Sequence, residues 1–115
     1  MSANSDPARV ANAYFTTWKA RDFAALRALM AEDVSFVGSL GQANGADECV
    51  RGLQGLSNIM TDTVIQKMLA DESDVMTWYE LQTKIAAPCP TVNWMHLEHG
   101  KIKRIRVTFD PRPLL

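Results

Sequence analysis

The stretch GKIKRIRVTFDP, residues 100–111, decides the fold because it combines a turn, a strand and a strand end. Gly100 can adopt the positive φ that a tight hairpin turn requires. From Lys101 to Phe109, apolar residues largely alternate with lysine and arginine, which is the period of a strand with one buried face. Asp110 and Pro111 then end the strand. The segment therefore predicts the second strand of an antiparallel hairpin.

Three further segments upstream carry the same short period. They are TVIQKMLAD, DVMTWYELQTK and TVNWMHLEH, at residues 63–71, 74–84 and 91–99, and turn signals separate them. The prolines of AAPCP, residues 86–90, cannot extend a central ladder, so this connection is a looser turn. Four long strands in a row require antiparallel hairpins.

The first helix is predicted from Val10, Tyr14 and Trp18, which recur every four residues and form one apolar stripe. Ser5 or Asp6 can cap this helix, and the following proline suits its first turn.

A second helix is predicted after Asp22, a capping residue, because Phe23, Leu26, Leu29 and Met30 keep helical spacing. EDVSFVG, residues 32–38, is then a short strand, and SLGQANGADE, residues 39–48, is a glycine-rich loop. The segment 46–60 is a third, weaker helix, since its two glycines each cost about 1 kcal/mol relative to alanine.

Three helices followed by a run of strands predict an α+β fold, with the helices packed on one face of a curved antiparallel sheet. The chain has 115 residues, of which 47% are hydrophobic and 22% charged. This balance is sufficient for one compact domain over residues 1–115.

Composition excludes several classes of partner. A net charge of −1 provides no basic surface for nucleic acid or an anionic membrane, and the short basic run 101–106 is interpreted as a solvated strand face. Cys49 and Cys89 show no C-x-x-C spacing, which fits a reducing compartment. With neither a signal peptide nor a membrane-spanning run in the sequence, we expect a cytoplasmic protein.

Helix 1 with its Tyr and Trp, RDFAALRALMAEDVSFVG and HLEHGKIKRIRVTFDPRP together resemble the nuclear transport factor 2-like superfamily. Within it, the chain is similar to the SnoaL-like polyketide cyclase and ketosteroid isomerase-like branch, and the resemblance covers essentially the whole chain. It implies a cone, in which a bent sheet wraps around a long helix and leaves a pocket. It also implies frequent dimers through the outer sheet face.

The resemblance assigns residues to the catalytic positions of ketosteroid isomerase, in which a tyrosine and a protonated aspartate donate hydrogen bonds to an oxyanion. Tyr14 matches the tyrosine, and Asn93 falls near the protonated aspartate and keeps an NH₂ donor. The general base of that family matches Gly38, which has no acceptor side chain.

A second assignment comes from similarity to limonene epoxide hydrolase and the polyketide cyclases, where a carboxylate of the last strand takes part in acid–base chemistry. Asp110 matches that position, and burial in the pocket would raise its pKa. The Arg-x-Asp pair of the epoxide hydrolase has no counterpart here, since Glu80 is the only acid in VMTWYELQ.

Structural roles compete with these assignments. Tyr14 also suits packing with its hydroxyl at the rim, and Asp110 also suits a strand end. The tryptophans, Trp18 among them, suit a core or an interface. His96 and His99 lie three apart on a strand and face opposite sides, so we predict no metal site. His96 remains a candidate acid–base group, although it is expected on the outer face.

Taken together, the sequence predicts a pocket for a small hydrophobic molecule, without a cofactor. The candidate catalytic residues are Asp110, Tyr14 and Asn93, and the candidate ligand-binding residues are Trp18, Phe36, Met95 and His96. The alternatives are a cofactor-free isomerase, cyclase or hydrolase acting on a carbonyl or epoxide, a binding or accessory domain, and a dimeric module with a filled cone. A homodimer is expected, because strands such as VMTWYELQTK carry more apolar residues than one core needs.

Overall fold

The computed structural model describes residues 6–115, so the alternative cap at Ser5 lies outside the described residues. The secondary structure runs in the order α1 (Asp6–Lys19), α2 (Phe23–Ala28), β1 (Met30–Gly38), β2 (Gly41–Asn44), α3 (Ala46–Ser57), β3 (Met60–Ala70), β4 (Asp74–Thr83), β5 (Cys89–Glu98) and β6 (Lys101–Thr108). A 3₁₀ turn, Arg112–Leu114, follows β6. The mixed α+β composition with three helices and one curved sheet confirms the predicted fold class.

Helix α1 buries the stripe that its sequence predicts, including Tyr14, Phe15 and Trp18. The turn after its last residue, Lys19, contains Arg21, whose φ of 59° lies in the left-handed region, a conformation that costs about 1 kcal/mol for a residue with a side chain. The Arg21 guanidinium donates to the backbone carbonyl of Ser57 at 2.6 Å. This bond joins the end of α1 to the end of α3 and offsets the backbone strain.

Helix α2 begins as predicted, since Asp22 accepts a hydrogen bond from the backbone N–H of Ala25 at 3.2 Å. Its predicted extension through Met30 is wrong, because the helix stops at Ala28 and Met30 is the first residue of β1. The backbone N–H of Ile102 donates to the Leu29 carbonyl at 2.9 Å. Pairing with the last strand therefore ends this helix.

The six strands form one sheet in the order β2-β1-β6-β5-β4-β3. The four C-terminal strands pair as antiparallel neighbours, as predicted. The expectation of a purely antiparallel sheet is wrong at one place, because β1 and β6 run parallel. The predicted loop 39–48 is also partly wrong, because residues 41–44 form β2 and pair with β1.

The turn between β5 and β6 is a tight hairpin, as predicted. Both of its central residues have positive φ, 53° at His99 and 77° at Gly100, and Glu98 pairs with Lys101. Two consecutive positive φ values are the geometry whose twist matches that of the flanking strands.

Irregular pairing curves the sheet around α1. The register shifts twice between β3 and β4, once between β5 and β6, and once between β1 and β6. Such bulges bend a strand and increase its local twist. The concave face packs on the helices, and the rings of Phe15 and Tyr79 meet edge to face at 4.9 Å between centroids. Across residues 6–115, none of the helices has the length and apolar character to cross a membrane.

Candidate functional site

A cavity of about 290 Å³ opens between the helices and the concave face of the sheet. Helices α1 and α3 contribute Tyr14, Trp18, Cys49, Gly52, Leu53 and Leu56. The sheet side contributes Phe36, Tyr79, Leu81, Val107 and Phe109, and the β1–β2 hairpin contributes residues 38–43. The wall is mostly aromatic and aliphatic, so the cavity is suited to a small apolar molecule.

The rigid part of the wall is Trp18, which is 2% exposed. Its indole Nε1 donates to the backbone carbonyl of Leu53 at 2.9 Å. Because this bond uses the one indole donor, Trp18 presents only its apolar ring surface to the cavity. The bond also fixes the distance between α1 and α3 at this point.

Three weakly acidic groups on the wall stay protonated. Burial raises the pKa of Tyr14 well above its ordinary value, and nearby Cys49 and Tyr79 raise it further. Burial likewise raises the pKa of Tyr79, and it raises the pKa of the Cys49 thiol to about 12. These residues therefore offer O–H and S–H groups rather than a base or a thiolate nucleophile.

A polar cluster lies behind Tyr14. Asn93 is 1% exposed, and it stands directly opposite Thr77 on the neighbouring strand. The Asn93 amide lowers the Tyr14 pKa against the larger effect of burial, but the two groups do not reach hydrogen-bond geometry. Both polar atoms of the Asn93 side chain and the Thr77 hydroxyl have no hydrogen-bond partner among the described residues. Buried polar atoms of this kind are costly to leave unpaired, so a water molecule or the neighbouring Tyr14 hydroxyl would be a favourable partner for the cluster.

The mouth of the cavity is formed by the β1–β2 hairpin. Leu40 at its tip is 49% exposed. The Ser39 hydroxyl accepts a hydrogen bond from the backbone N–H of Phe109 at 3.0 Å, which ties the hairpin to the end of β6. The mouth is therefore anchored on one side and apolar at its tip.

Of the predicted catalytic residues, Tyr14 lines the cavity, whereas Asn93 lies in the cluster behind it. The prediction that Asp110 lines the cavity is wrong. Asp110 is exposed, and its carboxylate accepts hydrogen bonds from Arg112 Nε at 2.9 Å and Nη2 at 2.7 Å. These bonds lower the Asp110 pKa to about 2, opposite to the rise that a pocket acid requires.

The predicted ligand-binding residues divide in the same way. Trp18 and Phe36 lie on the cavity wall, whereas Met95 is buried in the core outside the lining. His96 does not face this cavity, so the prediction that it binds a ligand there is wrong. Its ring lies on the opposite face of the sheet, where Nδ1 is 3.1 Å from Asp74 Oδ1. The turn carries His99 away from the strand, so the two histidines do not converge.

Several wall residues were missed by the sequence reasoning. Tyr79 is the clearest, because it follows Trp78 on β4 and only one of two adjacent aromatic residues on a strand can face the cavity. The alternation of β4 contains the signal, since buried Val75, Thr77 and Tyr79 alternate with exposed Met76 and Trp78. Cys49 and Leu53 lie four apart on α3 and share its buried face. Glu80, the remaining acid of β4, accepts from Gln82 at 3.0 Å and lies outside the lining.

The family model described as SnoaL-like domain matches residues 11–105. The chain belongs to the SnoaL-like domain family. This match confirms the resemblance inferred from the sequence. No curated protein matches the chain at a significant level.

Solved structures of the same fold are numerous. A protein from Kribbella flavida is 22% identical, with a TM-score of 0.88 over 98% of this chain and 92% of its own. An NTF2-like protein of unknown function from Cytophaga hutchinsonii is 23% identical, with a TM-score of 0.82 over 99% and 98%. An LEH-like epoxide hydrolase from M. tuberculosis is 17% identical, with a TM-score of 0.79 over 94% and 85%. At these identities the likeness shows a shared fold, and it does not transfer an activity.

Proposed function

We propose that this SnoaL-like domain binds a small, mostly apolar molecule that carries one carbonyl group. The observation that supports this most directly is the composition of the cavity wall, where two buried phenols, Tyr14 and Tyr79, are set among aliphatic and aromatic side chains. A volume of about 290 Å³ is at the lower end for ligand pockets, which favours one or two rings rather than a large lipid.

The carbonyl would accept a hydrogen bond from the Tyr14 hydroxyl. Burial keeps this hydroxyl protonated by raising its pKa, so it acts as a donor across the physiological pH range. Asn93 and Thr77 lie behind it with unpartnered polar atoms, and they would orient the phenol or an attendant water. A ligand without an acceptor would leave the donor unpaired, which is costly in an apolar site.

Binding without turnover is favoured over catalysis because the described lining residues contain no carboxylate and no imidazole. A proton-transfer enzyme needs a group that exchanges protons near neutral pH. The second candidate, a cofactor-free isomerase or cyclase, is favoured by the phenol and amide placed together, since paired donors stabilise a developing oxyanion. In that case the base would have to come from the substrate or from water.

The test uses 1-tetralone, a bicyclic ketone, and tetralin, the hydrocarbon of nearly the same shape. We expect the protein to bind the ketone more tightly than the hydrocarbon in ligand-observed NMR or equilibrium dialysis. Tyr14→Phe should weaken ketone binding by about threefold to tenfold, the size of one neutral hydrogen bond, and should leave tetralin binding unchanged. Equal loss for both compounds would contradict the assigned role of the hydroxyl.

Exchange of the α-protons of 1-tetralone in D₂O separates the two candidates. A binding domain leaves exchange at the buffer rate. Acceleration by the wild-type protein that is lost in both Tyr14→Phe and Asn93→Leu would establish proton-transfer catalysis and replace the binding proposal.

We also propose that the outer face of β3 and β4 pairs with a second copy of the chain. Leu69, Met76 and Trp78 on this face are 60%, 45% and 46% exposed. Leu69 stands opposite Met76, and Met76 stands opposite Trp94 on β5, so the apolar side chains are contiguous. In a two-fold dimer, each copy would cover this apolar surface with the same apolar surface of the other copy.

A further inference from the structure

The outer face of the sheet carries a second cleft that is separate from the cavity inside the cone. It has a volume of about 210 Å³ and is lined by Trp94, His96, Arg104 and Arg106. Trp94 stands directly opposite Arg106, and His96 stands directly opposite Arg104. The cleft is therefore built from two adjacent cross-strand pairs whose side chains project to the same side.

The two arginines bring positive charge to this cleft, and no carboxylate of the described residues forms an ion pair with either of them. They lie two positions apart on β6, which places their Cα atoms about 7 Å apart on one face. Arg106 Nη1 donates to the backbone carbonyls of Ser35 at 3.1 Å and Ile105 at 3.0 Å, and none of its partners within residues 6–115 is a carboxylate. Arg104 is exposed, and its side chain makes no hydrogen bond or ion pair with any residue in 6–115. Like charges held side by side favour the binding of an anion between them.

The neighbouring basic residues of the same strand differ from this pair. Lys101 Nζ donates to the backbone carbonyl of Ala28 at 2.6 Å, and Lys103 forms an ion pair with Asp33. The sequence indicated that the basic run 101–106 is a solvated strand face. The structure shows that the run is not uniformly solvated. Two of its cations have structural partners, and the other two point into one cleft.

The opposite wall of the cleft is held in place by acidic groups. Asp74 Oδ1 accepts a hydrogen bond from Trp94 Nε1 at 2.8 Å and lies 3.1 Å from His96 Nδ1. His96 Nε2 lies 3.2 Å from Glu98 Oε2. Both carboxylates are thus engaged with the aromatic side chains and not with the arginines. The indole and imidazole rings are fixed before any ligand arrives.

We propose that this cleft binds a phosphate group, either as inorganic phosphate or as a monoester with a small apolar substituent. Two guanidinium charges match the phosphate dianion, and their forked N–H donors suit its oxygens. The Trp94 ring, 42% exposed, provides an apolar wall for the substituent. The site shares no residue with the cavity lined by Tyr14. It lies on the β6 side of Leu69, Met76 and Trp78, the residues proposed to contact a second copy.

The test is an NMR titration of the ¹⁵N-labelled full chain with sodium phosphate and, separately, phenyl phosphate at constant ionic strength. We expect saturable shifts of the Trp94 indole signal and of the amides at 104 and 106. Arg104→Gln should weaken the affinity for both probes by about tenfold or more, as expected for a charged hydrogen-bond donor. Arg104 has no protein partner, so its replacement leaves the fold unchanged.

The matched control is Arg51→Gln, because Arg51 is an exposed arginine on α3 away from the cleft. An equal loss of affinity in this variant would reveal general charge attraction and overturn the proposal, as would the absence of saturable shifts at millimolar phosphate. Trp94→Ala separates the two sources of phosphate. A selective loss of phenyl phosphate binding supports a monoester ligand, whereas unchanged binding of both probes supports inorganic phosphate.

Discussion

The ring of Phe36 fills the space that a side chain at position 38 would need. A Cβ atom at Gly38 would lie 2.9 Å from Cε1 of Phe36, closer than carbon atoms pack. The glycine at the position that resembles the general base of ketosteroid isomerase therefore leaves room for this ring. An apolar ring occupies the wall at the place where a carboxylate would stand.

Gly38→Ala should therefore displace the Phe36 ring and narrow the cavity. Overpacking of a well-filled site costs about 1–3 kcal/mol, so we expect a lower free energy of unfolding in urea and weaker binding of 1-tetralone. Phe36→Ala in the same chain should restore space for the new methyl group. If the single Gly38→Ala variant binds the ketone normally, the Phe36 contact does not shape the site.

Two glycines of α3 form a matched pair for testing the position of the cavity. A Cβ atom would meet open space at both Gly52 and Gly55, but only Gly52 lies on the cavity wall. Replacement of either by alanine should raise the free energy of unfolding by about 1 kcal/mol through helix propensity. Gly52→Trp should abolish ketone binding by filling the cavity, whereas Gly55→Trp should preserve it. Similar binding by both tryptophan variants would place the ligand elsewhere.

The Cys49 thiol reports on occupancy of the cavity. With its pKa raised to about 12 by burial, its thiolate fraction at pH 8 is about 10⁻⁴. In a Cys89→Ser background, iodoacetamide should label Cys49 about a thousandfold more slowly in the native protein than in urea. Bound 1-tetralone should slow labelling further, because Cys49 lines the cavity. Rapid labelling that the ketone does not affect would contradict this position for the thiol.

The ion pair at the end of β6 predicts a dependence of stability on pH. The Asp110 pKa is lowered to about 2 by Arg112, below its value in the unfolded chain. The stabilisation is therefore fully present above pH 4 and is lost as the pH falls toward 2. Asp110→Asn should be slightly less stable than wild type at pH 7, with a difference that shrinks in high salt and vanishes below pH 2.

Arg112→Gln is the control for that experiment, because it removes the other member of the pair and should give the same loss. Binding of 1-tetralone should be unchanged in both variants. A selective loss of ketone affinity in Asp110→Asn would instead show that this carboxylate contributes to the pocket.

Trp78 is the residue on which the proposed contact between copies most depends. Trp78→Glu introduces a charge into the apolar row and should weaken a dimer at least about thirtyfold, as expected for the loss of a central aromatic contact. Ile85→Glu, at a similarly exposed apolar position beyond β4, should leave the assembly unchanged. Sedimentation velocity at micromolar concentration measures both. A wild-type chain that sediments as a 12.8 kDa monomer would rule the dimer out.

Local pattern explains which parts of the fold could be predicted from the sequence. The alternation of apolar and polar residues predicts the four C-terminal strands. Gly100, which can adopt a positive φ, predicts the turn before the last of them. The short strand β2 has four mostly exposed residues and no apolar alternation. The parallel pairing of Ser35 with Arg104 joins segments that are distant in sequence, and no local signal specifies it.

The site was predictable to a lesser degree, because it depends on which way individual side chains point. The helical stripe correctly indicated that Tyr14 and Trp18 face inward, since a four-residue spacing fixes a helix face. The direction of Asp110 depends on the turn that follows β6, where Arg112 comes within reach of its carboxylate. A carboxylate with a partner two residues away has no reason to enter an apolar cavity.

The place of β6 in the sheet has a consequence for biosynthesis. This strand is translated after the other five, yet it lies between β1 and β5. A nascent chain that has emerged only as far as β5 therefore holds two separate sheet fragments, each with an unpaired edge. Such edges invite association with other chains, and contacts that span most of the chain form slowly. We expect the cone to close only after residue 108 has left the ribosome, and protection by a chaperone before then would improve the yield of folded protein.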